Sequence, residues 1–200
     1  MILDADALPD DVRDLLHELR LRGLVTDAPD AVAAQLCERG LAHRQGTSLA
    51  LTSEGRLVHA AWARYEEGSD AHLAARTAYD QFRPLNAALL RLSTDWQVRG
   101  GNVPNDHSDP SYDWSVIDRL VELDERAGPV VRRLAKAVHR FEEYRPRLSD
   151  AVRLVLAGEH AWFVSPRCDS YHTVWMQLHE DLLLALGLER PREDEERTAD

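Results

Sequence analysis

Along most of this chain apolar residues return every three or four positions, and over one short stretch they alternate. Val12, Leu15, Leu16 and Leu19 fall on one face of 10–22, the spacing of a helix that buries one side. Asp10 and Asp11 suit its start, and Gly23 suits its end. A second helix is expected over 30–39, where Val32 and Leu36 share a face with small residues and Gly40 closes the segment. Next comes GLAHRQGTSLALTSEGR, 40–56. After a turn at 45–46, Leu49 and Leu51 alternate with polar or small neighbours, the period of a half-buried strand. A short hairpin is expected there, followed by a helix from Thr52, a good capping residue, to Tyr65.

The polar run 66–70 contains Gly68 and reads as a linker. From 71 to 96 the helical period returns with Leu73, Tyr79, Phe82, Leu85, Leu89 and Leu92, and Pro84 is expected to kink it. Residues 99–111, rich in Gly, Pro, Asn and Asp, read as a loop. A helix over 112–141 follows, with Gly128 and Pro129 expected to bend or split it. Further helices are expected at 146–157 and 167–188, joined by a loop at 158–166 whose Trp162 and Phe163 should be buried. The pattern predicts a mainly α protein: a small domain with a β-hairpin at 1–66, a helical bundle at 67–189, and a charged, disordered tail at 190–200.

Composition narrows the function classes. The net charge is -11, which argues against a protein whose whole surface is a nucleic-acid footprint. Within 1–65, seven arginines face ten acids. No apolar run approaches the ~18 residues of a membrane span. The acidic start MILDADALPDD lacks the basic region of a secretory signal, so a cytoplasmic location is expected. Cys37 and Cys168 form no paired motif, and a cysteine-built zinc site is not expected.

The segment LCERGLAHRQGTSLALTSEGRLV resembles the end of a winged-helix domain of the MarR type. Leu36, Gly40, Leu41, Leu51, Thr52, Gly55 and Arg56 carry the resemblance. It implies a recognition helix ending in Leu-x-x-x-Gly-Leu, a two-stranded wing, and a Leu-Thr-x-x-Gly-Arg turn into a helix. It covers roughly a tenth of the chain. It departs from the pattern between the first helix and the recognition helix, where only 24–30 stand in place of the further helix that a helix-turn-helix has. If DNA is bound, Arg39, Arg44, Gln45 and Arg56 are the implied contacts. The remainder resembles a helical domain of actinobacterial proteins labelled as regulators, and less closely an accessory segment of some enzymes that use phosphoenolpyruvate. TDWQVRGG, PNDHSDPSYD and DSYHTVWMQLHEDLL carry that resemblance, which implies a pocket without fixing its chemistry.

The last of these stretches holds the candidate site. Asp169, His172, Met176, His179 and Glu180 share one side of a helix, beside an apolar face of Tyr171, Val174, Trp175, Leu178 and Leu182. His172 and His179 are about 10 Å apart along the axis, too far to bind one metal from the helix alone. A second element must complete any site. Asn105, Asp106 and His107 are the candidates, because no packing role explains the polarity of their loop. Trp96, Tyr112 and Tyr171 could supply apolar walls. Three readings stay open: hydrogen bonds from Asp169 and His172 that tie the loop to the bundle, an organic-ligand pocket, and a His–carboxylate metal site. No phosphate-binding loop and no HExxH motif is present, and no metal set is assigned.

The expected function is a small-molecule-responsive, winged-helix transcriptional regulator acting as a homodimer, with DNA as a candidate partner. The alternative is an enzyme or enzyme accessory protein in which His172 or His179 is the general base and the wing is scaffold.

Overall fold

The structure, a computed structural model, describes residues 8–100 and 103–188. Its contacts divide the chain into two compact units, Met1–Glu67 with Leu183–Asp200, and Gly68–Leu182. The charged tail expected to be disordered lies outside the described residues. The protein is mainly α, with a small antiparallel sheet.

In the first unit, α1 (Asp10–Arg22) buries the predicted face of Val12, Leu15, Leu16 and Leu19. Gly23 ends it at φ +79° with its amide donating to the Leu19 carbonyl, a backbone conformation that favours glycine. A two-residue strand, β1 (Leu24–Val25), follows where no element was expected. Then come α2 (Asp30–Glu38), β2 (Ala42–Gln45), β3 (Ser48–Leu51) and α3 (Ser53–Ala63). The sheet order is β1-β3-β2. Arg44 pairs with Leu49 and Gln45 with Ser48 across the hairpin, while Leu24 pairs with Ala50 on the other side of β3. Leu16, Leu19, Leu36, Leu41, Leu49 and Val58 meet in one core. Three helices and a three-stranded ladder thus share apolar faces that none could bury alone.

In the second unit, α4 (Asp70–Gln97) is one helix of 28 residues that continues through Pro84. Its buried stripe runs through Ala75, Ala78, Tyr79, Phe82, Leu85, Leu89, Leu92 and Trp96. A two-residue ladder, β4 (Val98–Arg99) with β5 (Val103–Pro104), interrupts the predicted loop. Helix α5 (Pro110–Ala137) opens with Asp109 accepting the amides of Ser111 and Tyr112, and with Pro110 at its first position, where a missing N–H costs nothing. It too is unbroken at Gly128 and Pro129. A single 3-10 turn (His139–Phe141) leads to α6 (Tyr144–Leu156), a four-residue α7 (Ala161–Val164), and α8 (Tyr171–Leu186). Phe163 is buried as expected, whereas Trp162 is only half-buried. The contacts group the end of α8, from Leu183, with the first unit rather than with the bundle to 189. The Tyr65 amide donates to the Ala185 carbonyl there, at 3.0 Å.

Candidate functional site

The loop before α5 is built around Asn105. Its amide Nδ2 donates to the Trp96 carbonyl at 3.0 Å and to Asp113 Oδ1 at 2.9 Å, and its backbone amide donates to the Gln97 carbonyl. Asn105 and Asp113 are both buried. The loop therefore has the packing role that the sequence concealed: its Asn closes the end of α4 against the start of α5.

His107 follows at φ +57°. A side chain in that region is strained, and something must hold it there. Its Nδ1 lies 3.0 Å from Asp113 Oδ2. A carboxylate only accepts, so Nδ1 carries a proton and donates it to Asp113. The ring packs on Trp96 at 4.5 Å between centroids, and His160 meets the same indole edge-on at 5.3 Å. Phe163 packs against Trp96 from α7. Trp96 is 3% exposed, while the His107 side chain is 37% exposed. The arrangement is an oriented, half-open imidazole beside a buried indole, with a second imidazole close by.

Around this cluster the polar groups are paired. Asp106 accepts from the Ser108 hydroxyl and amide, and those bonds hold its carboxyl below the ordinary range. The Tyr112 hydroxyl donates to the Asp95 carbonyl at 2.7 Å. Arg99 stacks over the Tyr112 ring and pairs with Asp109. The amide of Tyr112 and the Arg99 guanidinium lower the Asp109 carboxyl in turn.

The α8 residues do not complete this cluster as expected. The carboxylate that ties down the loop is Asp113 rather than Asp169. Asp169 instead receives Arg147, at 3.1 Å. Tyr171 is fully buried, and its hydroxyl donates to Asp124 Oδ1 at 3.2 Å. His172 is half-buried, and burial pushes its pKa down. His179 lies against Phe82 and Tyr79, with ring centroids 5.2 and 6.2 Å away, and Glu180 is half-buried. Of the ten candidate contacts, Trp96, Asn105 and His107 come together, with Tyr112 close by in the α5 first turn.

Two buried acids had not been singled out. Asp124 takes a two-pronged bond from Arg145, at 2.6 and 2.8 Å, in addition to the Tyr171 hydroxyl. Asp181 faces Arg140 at 3.1 Å and the Tyr144 hydroxyl at 3.1 Å. Both tyrosines are pushed well above their ordinary pKa, first by burial and then by the carboxylate beside each. Asp113, Asp124 and Asp181 each lie on the apolar stripe of their helix, a signal legible in sequence. No cluster of three metal-ligating side chains occurs among the described residues.

The wing candidates occupy the hairpin and its flanks. Gln45 ends β2 and is exposed, and Arg56 is exposed on the first turn of α3. Arg44 is half-exposed and pairs with Asp30 at 2.7 Å, and Arg39 donates to the Gln35 carbonyl. The residues between them are closely fitted. The Thr52 hydroxyl donates to the Gly40 carbonyl at 2.6 Å and accepts the Gly55 amide at 3.0 Å. The Thr52 amide donates to the Leu41 carbonyl. Gly55 lies against that same carbonyl so closely that a β-carbon would overlap its oxygen.

No family model matches this chain, and neither a curated protein nor a solved structure matches it. Among the described residues, no helix is long and apolar enough to cross a membrane.

Proposed function

We propose that this chain is a winged-helix-type transcriptional regulator that answers to a small molecule held by its helical bundle. The observation that carries the reading is the fitted set of Gly40, Leu41, Thr52 and Gly55, inside the order helix, strand, helix, hairpin, helix with sheet order β1-β3-β2. Those residues are among the ones that resemble the MarR-type wing, and Gly40, Thr52 and Gly55 each have a backbone reason to be what they are. One helix, α2, stands between β1 and the hairpin where a full helix-turn-helix has two. In this reading α2 and the wing face DNA, Arg39, Arg44 and Arg56 contact phosphate, and Gln45 sits at the wing tip. Arg44 would exchange Asp30 for a phosphate oxygen. Two copies would bind together, as a homodimer on a two-fold DNA site.

The test is fluorescence anisotropy with duplex DNA from the chain's own gene neighbourhood, over a range of salt. Binding that weakens with salt and with Arg39→Ala, Arg44→Ala or Arg56→Ala is expected. Absence of any salt-sensitive binding removes the regulator reading.

A catalytic reading keeps one observation in its favour, the Asp113–His107 bond, which would suit a general base. Native mass spectrometry on protein purified without chelator separates the two. A metal ion lost on His107→Ala would favour catalysis, and a metal-free chain that binds DNA would keep the regulator reading in front.

A further inference from the structure

We propose that the groove between α4 and α5 binds a small amphiphile with a short apolar chain and a single anionic head. Leu73, Ala78, Val130 and Leu134 give it an apolar floor, and Gln81 and Arg133 stand on its wall around a cavity of about 260 Å3. Pockets for drug-sized ligands begin near ~300 Å3, so a smaller molecule suits this one. The α4 stretch from Leu73 to Gln81 spans about 12 Å, the length of a short acyl chain. Leu73, on that lining, is 54% exposed, a large apolar side chain left in water.

Charge selects the head group. The chain carries net charge -11, yet 126–137 contains no acid. Among the described residues Arg126, Arg132, Arg133 and Lys136 have no ion-pair partner. Arg133 donates instead to the neutral Gln81 Oε1, at 2.6 Å, across the groove. Asp80, the acid on that stretch of α4, faces Arg76 at 3.9 Å. A carboxylate arriving at Arg133 therefore displaces an amide oxygen and meets no competing acid. A guanidinium recognises such a head by paired, charge-assisted hydrogen bonds. A cationic head would meet the Arg133 guanidinium and be repelled.

The proposal deepens the regulator reading by giving the bundle's ligand a chemical class. It is tested without DNA, so the two can fail separately. The full chain is titrated with octanoate and followed by amide NMR shifts. Octanol, octylammonium and acetate remove the charge, reverse it, or remove the chain. Octanoate should saturate, with shifts centred on 73–81 and 130–134, and octylammonium and acetate should not. Arg133→Gln, at an exposed position, should weaken octanoate about tenfold, the worth of one charge-assisted bond. Thr77→Trp, also at an exposed position, should fill the groove and abolish binding. No saturable octanoate binding, equal binding of octylammonium, or binding untouched by both variants overturns the proposal. A dimer in sedimentation that Thr77→Trp dissociates would assign the groove to a second copy and also overturn it.

Discussion

Gly55 shows how closely single positions are determined. It lies in the first turn of α3, where helix propensity alone would make alanine better by about 1 kcal/mol. Against that, a β-carbon there would overlap the Leu41 carbonyl, and overpacking costs about 1–3 kcal/mol. The overlap is with a backbone atom, so Gly55→Ala is expected to lose up to about 2 kcal/mol in urea unfolding; a higher midpoint would show that the hairpin yields. His172 sets a pH dependence. Burial lowers its folded pKa below the ordinary 6.5. As pH falls through that value the unfolded chain takes up a proton that the folded chain resists, so stability drops and then levels off below the folded pKa. His172→Gln should lose less stability than the natural chain between neutral and mildly acidic pH, and parallel losses would refute the assignment. At this scale Gly40 after a helix and Thr52 as the cap of the next were legible, because those roles are local, whereas the approach of Gly55 to the Leu41 carbonyl was not. The pairing of His107 with Asp113 was not, because it depends on how the loop folds back onto α5.

At the scale of elements, buried acids on apolar stripes fasten the bundle. Asp124 joins α5 to α6 through Arg145 and to α8 through Tyr171. Removing one partner of a buried pair costs more than the pair contributes, because the other charge is left behind. Arg145 keeps some solvent, with a side chain 20% exposed, so Asp124→Asn should destabilise by roughly 2–3 kcal/mol, below the ~3–5 of a fully buried pair. Tyr171→Phe should cost about 1 kcal/mol, one ordinary hydrogen bond. Chemical denaturation measures both, and an Asp124→Asn change within about 0.5 kcal/mol, the usual surface value, would mean that the pair is solvated. Helix periods were read correctly, whereas the breaks expected at Pro84 and Pro129 are absent. A proline inside a helix costs about 3 kcal/mol, yet α4 and α5 run through Pro84 and Pro129. Each large apolar side chain on their buried stripes returns about 1.5–3 kcal/mol, and each stripe has six of them. Burial outweighs the local cost. The two-residue strands β1 and β4 escaped notice for the complementary reason: two residues carry no period, and only their partners make them strands.

For the whole molecule, charge limits what the wing could do. With net charge -11 and three arginines at the proposed contact, about three phosphates would be neutralised per copy. The logarithm of affinity should then fall with the logarithm of salt at a slope of roughly -3 per copy. A slope near zero in the anisotropy series would mean that no phosphate is held. The sequence by itself determined the mainly α class, the first helix, the hairpin and its capped exit, and the candidate loop, since each is written in local period, turn chemistry or capping. Tertiary structure alone decided that Asp113 rather than Asp169 holds that loop, that Tyr171 serves the core, that both prolines stay inside helices, and that α4 and α5 leave a groove beside Arg133. Those outcomes depend on which distant faces meet, and burial sets the energy of that meeting, whatever lies next along the chain.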